Sequence, residues 1–185
     1  MTWRSALPAL VTLALIILFA AGLKRGDPGE ITSPFLGKPA PALDMADLFA
    51  PETRISGTEL SGSAYVLNVW GTWCRECYRE HETLLQIARQ NTVPLIGLNW
   101  RDDRARALAY LQQYGDPFAR VGSDPNGRNA IDWGVYGAPE TFLIDADGVV
   151  LHKHIGPITW SIWERDFLSR LQPQPARTAA STAAR

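Results

Sequence analysis

The chain holds two cysteines, Cys74 and Cys77, and both lie in the stretch GTWCRECYREH at 71–81. Two thiols at this spacing can clamp a metal, staple a backbone or exchange electrons. A structural metal site usually takes four ligands. The pair supplies two, His81 one turn after Cys77 offers a third, and the chain has no second cysteine pair. A staple is a weak use of the spacing, because closing so short a loop removes little entropy from the unfolded chain. Two buried structural thiols would be the bland reading, and the strand-to-helix placement behind Trp73 argues against it. Thiol-disulfide exchange fits best. It needs one sulfur active as a thiolate and a second within reach to resolve the mixed disulfide.

The neighbouring elements decide which sulfur plays which part. Tyr65–Trp70 (YVLNVW) is short, apolar and β-branched, which predicts a buried strand. From Cys74 to Gln90 there is no Gly or Pro, and Cys77, His81, Leu84, Leu85 and Ala88 recur at helical spacing. Cys74 is then expected in the first turn of a helix, where unpaired N–H groups and the macrodipole favour an anion. That makes Cys74 the exposed attacking sulfur and Cys77 the buried resolving one. Further on, Val93–Trp100 predicts a second buried strand, and Arg104–Tyr114 a helix with Ala105, Leu108, Ala109 and Leu111 inward. Asp124-Pro125 predicts the start of a short helix. Thr141–Asp145 and Val149–His154, joined by Ala146-Asp147-Gly148, predict a hairpin. Trp160–Leu171 predicts a last helix with Trp160, Trp163, Phe167 and Leu171 on one face. The sum is an α/β fold with a central mixed sheet flanked by helices.

At 185 residues and 46% hydrophobic content, one buried domain is expected. A formal net charge of -1 carries no basic footprint for nucleic acid. Residues 5–23, SALPALVTLALIILFAAGL, are uncharged and long enough to cross a membrane as a helix. A cleaved signal peptide competes through Ala20-Ala21-Gly22, but its apolar core is usually shorter, which favours a retained anchor. Arg4 on one side and Lys24-Arg25 on the other leave orientation undecided by charge. Either way the chain after Leu23 is expected to be exported into an oxidising compartment, where a lone thiol pair tends to close. The organisation expected is an anchor at 1–23, a Pro- and Gly-rich linker at 24–41, the domain at 42–171 and a disordered tail at 172–185. His152 and His154, alternating on one strand face, are expected to face solvent.

The strand-WCxxC-helix unit, with Gly137-Ala138-Pro139 before a later strand, resembles the thioredoxin fold. More narrowly, LNVWGTWCRECYREH, GLNWRDD and GVYGAPETFLIDADG resemble the thiol:disulfide interchange proteins of cytochrome c maturation, the DsbE/CcmG family, from about Phe35 to Leu171. The resemblance implies that Cys74 attacks, that Cys77 resolves and that Pro139 is a cis-proline beside them. It implies that the Ala138 backbone pairs with an extended substrate. Glu80 and Glu140 match acidic residues near the dithiol that tune it or relay a proton. Asn68 stands where thioredoxin has a buried acid, so an acid must come from elsewhere. Trp70, Trp73 and Tyr136 are expected to frame the groove. Arg75-Glu76 departs from the usual proline before the second cysteine and leaves the redox potential open. The implied activity is protein-disulfide reduction by a single-pass protein of the bacterial inner membrane, with its domain in the periplasm. The implied partners are apocytochrome c or a heme-ligation protein as substrate and a transmembrane thiol-shuttling reductant. No metal or organic cofactor is implied. A general periplasmic thiol-disulfide reductase is the alternative; a peroxidase and a redox-sensing or holdase module are more distant ones.

Overall fold

The computed structural model describes residue 8, residues 11–19 and residues 33–171. Residues 11–19 are helical with every side chain exposed. Like residue 8, they fall within the apolar run at 5–23; the other residues of that run, residues 24–32 and the tail at 172–185 lie outside the described residues. Among the described residues no helix is long and apolar enough to cross a membrane.

The domain is built on seven strands: β1 (Asp44–Asp47), β2 (Arg54–Ser56), β3 (Tyr65–Trp70), β4 (Leu95–Trp100), β5 (Arg120–Asp124), β6 (Glu140–Ile144) and β7 (Val150–Ile155). They form one mixed sheet in the order β2-β1-β5-β4-β3-β6-β7. Strands β3, β4 and β5 run parallel, while β6 and β1 flank them antiparallel. Five helical segments connect or cover them: α1 (Gly57–Leu60), α2 (Arg75–Gln90), α3 (Arg104–Tyr114), α4 (Arg128–Asp132) and α5, which runs from Trp160 to Leu171. Its middle, Trp163–Leu168, is π-helical.

Every residue of β3 is buried, as the apolar run demands of a strand covered on both faces. Tyr65, Leu67 and Val69 pack with Leu43, Met45, Phe142 and Trp133 on one face. On the other face Val66 packs with Leu84 and Ile87 of α2 and with Trp163 and Phe167 of α5. Asn68 shares that second face by the two-residue period of a strand. A polar side chain is thereby aimed into the β3–α2 layer.

The strands expected at 65–70 and 93–100, the helices at 104–114 and 160–171 and the 141–154 hairpin are all present, shifted by at most two residues. Strands β1, β2 and β5 and the one-turn α1 were not anticipated. Each is short, and β5 (RVGSD) carries a glycine and three polar or charged residues that dilute a strand signal. Asp124 therefore ends β5, and the helix expected there begins at Arg128. The Asp124 carboxylate still serves it, accepting from the Asn129 and Ala130 N–H groups at 3.3 and 2.9 Å. The inward face of α3 is Ala107, Tyr110 and Leu111; Ala105 and Ala109 are exposed. The packed chain also begins upstream of position 42: Ser33 is buried, Phe35, Leu36 and Ala40 pack on the core, and Pro39 bridges Val149.

Gly122 opposes Asp47 where β5 meets β1, and a Cβ there would overlap the Met45 side chain. Gly122→Ala is expected to cost about 1 to 3 kcal/mol of unfolding free energy through overpacking. Gly57→Ala, whose Cβ would meet nothing closer than 3.8 Å, should stay within about 0.5 kcal/mol. Urea unfolding of both variants checks the contrast.

Candidate active site

Cys74 is the N-cap residue of α2, at φ -90° and ψ 105°, and its sulfur accepts from the Cys77 N–H at 3.1 Å. The two sulfurs are joined as a disulfide across a Cα separation of 5.3 Å. The helix end and that N–H would stabilise negative charge on Cys74 once the bond is reduced. Cys74 is nevertheless as buried as Cys77, each 4% exposed, against the expectation of an exposed first sulfur. The reason is its packing: both cysteines belong to one apolar cluster with Trp70, Tyr110 and Leu111, and Ala138 packs on it. Trp70 is a floor residue, whereas Trp73 and Tyr136 stand at the surface, 51% and 63% exposed.

Two carboxylates hold the loops on either side of the disulfide. Asp102 follows β4 and accepts from the Thr72 N–H, the Thr72 hydroxyl at 2.7 Å, Asn99 Nδ2 at 3.1 Å and the Asp103 N–H at 2.8 Å. Burial alone would raise this carboxyl, but the Thr72, Asn99 and Asp103 hydrogen bonds outweigh it and hold the group below its ordinary value. Trp73 caps the same loop, its indole donating to the Trp100 carbonyl at 3.0 Å. Gly71 leaves the room, since a Cβ there would lie 2.6 Å from the Trp73 indole nitrogen.

Across the disulfide, the Ala138–Pro139 peptide bond is cis, as the resemblance implied. Glu140, the first residue of β6, turns its carboxylate back to accept from the Tyr136 and Gly137 N–H groups at 2.8 and 3.2 Å. Its second oxygen is 2.9 Å from the Lys153 ammonium, both side chains being buried. Glu140 is thus built into the loop through its backbone.

Glu80 occupies a different position. It lies one turn beyond Cys77 on the same buried face of α2. Its two oxygens accept from Asn68 Nδ2 at 2.9 Å and from the Ile158 N–H at 2.7 Å. An exposed helix charge would be the ordinary fate of such a residue, and at 1% exposure this one is not. Burial lifts the carboxyl to about 7, only partly opposed by the Ile158 and Asn68 hydrogen bonds. A buried acid from α2 thus lies beside Asn68, which donates to it.

The remaining polar candidates make their contacts elsewhere. Glu76 pairs with Arg79 at 2.9 Å and Arg75 is exposed. His81 Nε2 lies 3.0 Å from the Gly115 carbonyl with its ring against Tyr110, so it does not face the cysteines as a third ligand would. Among the described residues no group of three or more His, Cys, Asp or Glu is placed to hold a metal. His152 and His154 are half-buried rather than solvent-facing. The His152 ring meets Phe167 of α5, and burial pushes it down to about 4. Asp102 and Lys153 escaped sequence reasoning. Lys153 left one trace, a lone lysine inside the second strand of the expected hairpin.

The Redoxin family model matches residues 35–168. The chain is 44% identical over 174 residues to the thiol:disulfide interchange protein DsbE of Allochromatium vinosum, covering 94% of this chain and 93% of that one. It is 39% identical to DsbE of Pseudomonas aeruginosa, with 89% and 92% covered. Among solved structures, a thioredoxin-family thiol:disulfide interchange protein from Chlorobium tepidum superposes with a TM-score of 0.60 at 25% identity, covering 72% of this chain and 95% of that one. A secreted Mycobacterium tuberculosis disulfide oxidoreductase, described as homologous to the Escherichia coli DsbE, gives 0.53 at 26% identity, with 58% and 79% covered.

A carboxyl raised in the folded state stabilises the fold most below its unfolded value and loses that contribution as pH climbs through the folded one. For Glu80 the window runs from 4.5 to about 7. The stability of the oxidised protein relative to Glu80→Gln should therefore fall by roughly 3 kcal/mol between pH 4.5 and 8. Urea unfolding of both proteins at the two pH values measures it. A difference that stays level would place Glu80 at its ordinary carboxyl value.

Proposed function

The chain belongs to the DsbE thiol:disulfide interchange proteins of the redoxin family and is a thiol-disulfide oxidoreductase; from that premise we propose that it reduces the heme-binding cysteine disulfide of apocytochrome c, directly or through a heme-ligation partner. The proposal places the domain in the bacterial periplasm, on a single-pass inner-membrane anchor formed by the uncharged run at 5–23. The observation that carries the dithiol mechanism is the buried Glu80 carboxyl one turn from Cys77 on the same face of α2, placed to take a proton from the resolving thiol; the reductive direction is what the resemblance to the cytochrome c maturation proteins implies.

In the reduced protein the Cys74 thiolate attacks one sulfur of the substrate disulfide. A bond forms between Cys74 and that sulfur, and the other substrate sulfur leaves as a thiolate. Glu80, as a carboxylate, takes the Cys77 proton. The resulting Cys77 thiolate attacks Cys74, closes the Cys74–Cys77 disulfide and expels the second substrate sulfur, which protonates with its partner. Two electrons pass from the dithiol to the substrate. A carboxyl raised to about 7 serves this step because it is ionised often enough to accept and acidic enough to release again. Glu140 has no such part in the proposal, since the buried Lys153 ammonium is its counter-charge and its carboxylate holds the Tyr136 and Gly137 N–H groups. The backbone of Ala138, beside the disulfide, pairs with the substrate as an added strand. A transmembrane dithiol protein returns the two electrons, which an oxidising compartment makes necessary.

Cys77→Ser is expected to accumulate a mixed disulfide through Cys74 with a peptide bearing a Cys-x-x-Cys-His disulfide, seen by mass spectrometry; Cys74→Ser should form none. In cells, Cys74→Ser should abolish assembly of holocytochrome c, with added thiol restoring it. Intact assembly in that strain would leave a general exported thiol reductase as the better reading.

A further inference from the structure

The charge on β7 has no part in the electron transfer just described, yet it is the most enclosed cation among the described residues' ion pairs. Lys153 pairs in register with Phe142 of β6, and its side chain is 2% exposed. Its ammonium lies 2.9 Å from Glu140 Oε2 and donates to the Gly134 carbonyl at 2.8 Å. It also sits over the rings of Tyr136 and Phe142, 4.6 and 5.1 Å from their centroids. All four contacts belong to one segment, 134–142. One ammonium ties the start of the loop at Gly134 to its end at Glu140, and Glu140 in turn holds the Tyr136 and Gly137 N–H groups.

Stability alone does not account for this arrangement. A buried ion pair can often be replaced by apolar side chains without loss, because desolvation of both charges offsets their attraction. A methionine would fill the same strand position between Phe142 and Tyr136. What an apolar side chain cannot do is give the Gly134 carbonyl a donor and aim the Glu140 carboxylate at two backbone N–H groups together. The segment so fixed includes Ala138, which packs on the apolar cluster that holds Cys74 and Cys77.

We propose that Lys153 is a positioning residue for substrate engagement: its ammonium, through Glu140 and the Gly134 carbonyl, sets the 134–139 loop so that the Ala138 backbone presents to a polypeptide at the disulfide. This rests on the reading that protein disulfides are the substrates. Lys153 touches neither sulfur nor substrate. Its effect falls on how a chain is held, and less on the reactivity of Cys74.

The test compares Lys153→Met and Lys153→Arg with the unsubstituted protein, using the oxidised Cys-x-x-Cys-His peptide and, separately, the small aromatic disulfide dithiobis(nitrobenzoate). Lys153→Met should raise KM for the peptide at least tenfold, with kcat changed less than threefold. The rate with the small disulfide should fall less than threefold. Lys153→Arg, which keeps charge and donors, should recover most of the peptide KM. Should Lys153→Met fail to fold because it strands the Glu140 charge, Glu140→Gln with Lys153→Met buries no charge and is expected to show the same split. An equal fall with both disulfides, or an unchanged peptide KM in a folded variant, overturns the positioning role. An unsubstituted protein that reduces the small disulfide but not the peptide would overturn the substrate reading, a different and recognisable result.

Discussion

A carboxyl group withdrawn from water between β3 and α2 is the constraint around which this domain is arranged. Glu80 faces into the layer where Val66, Asn68 and Trp70 of β3 meet the buried side of α2. An ionised carboxylate there is costly unless hydrogen-bonded, and an unpaired one is costlier still. Two donors from distant parts of the chain meet it, Asn68 from the central strand and the Ile158 N–H from the turn before α5. Those two bonds temper the burial without cancelling it, so the group is left near neutrality, where it can exchange a proton. Local stability is given up at a position one turn beyond Cys77, where the proposed mechanism places its proton acceptor.

The two loops beside the disulfide are fixed by a repeated device. On one side the Asp102 carboxylate gathers the Thr72 backbone and hydroxyl; on the other Glu140 gathers the Tyr136 and Gly137 backbone. Loop N–H groups that cannot pair within a sheet must find acceptors, and a carboxylate accepts several at once. The device differs between the sides in its exposure. Asp102 is half-buried and answers to neutral donors, whereas Glu140 is fully buried and requires the Lys153 ammonium as its counter-charge. Three acidic residues around one disulfide therefore have three environments, and Glu80 alone of them is buried with no cationic partner.

Much of this was legible in the chain itself. The apolar run at 65–70, the Gly- and Pro-free segment after Cys74 and the GAPE stretch predict the strand, the helix and the loop that surround the cysteines, and the structure brings all five expected site residues, Cys74, Cys77, Glu80, Pro139 and Glu140, to one region. Periodicity could not show that Cys74 is enclosed, because the side chains that cover it come from β3, α3 and the 134–139 loop, far apart in sequence. For the same reason it could not find Asp102 or Lys153. An aspartate beside an N-cap reads as a surface residue, and a lysine between two histidines reads as an exposed strand edge; only the tertiary fold gives them Thr72 and Glu140 as partners. Strands β1, β2 and β5 were missed because tertiary pairing, not local propensity, makes them strands.

The central claim is that this dithiol gives electrons to a disulfide. The reduction potential of the Cys74–Cys77 pair, measured on the protein equilibrated against dithiothreitol and glutathione buffers, tests it most directly. The account predicts a reducing value, about -270 mV, in the range of thioredoxin. A value of about -120 mV, that of a strong oxidant, would mean the pair makes disulfides instead, and the reductase reading would be wrong.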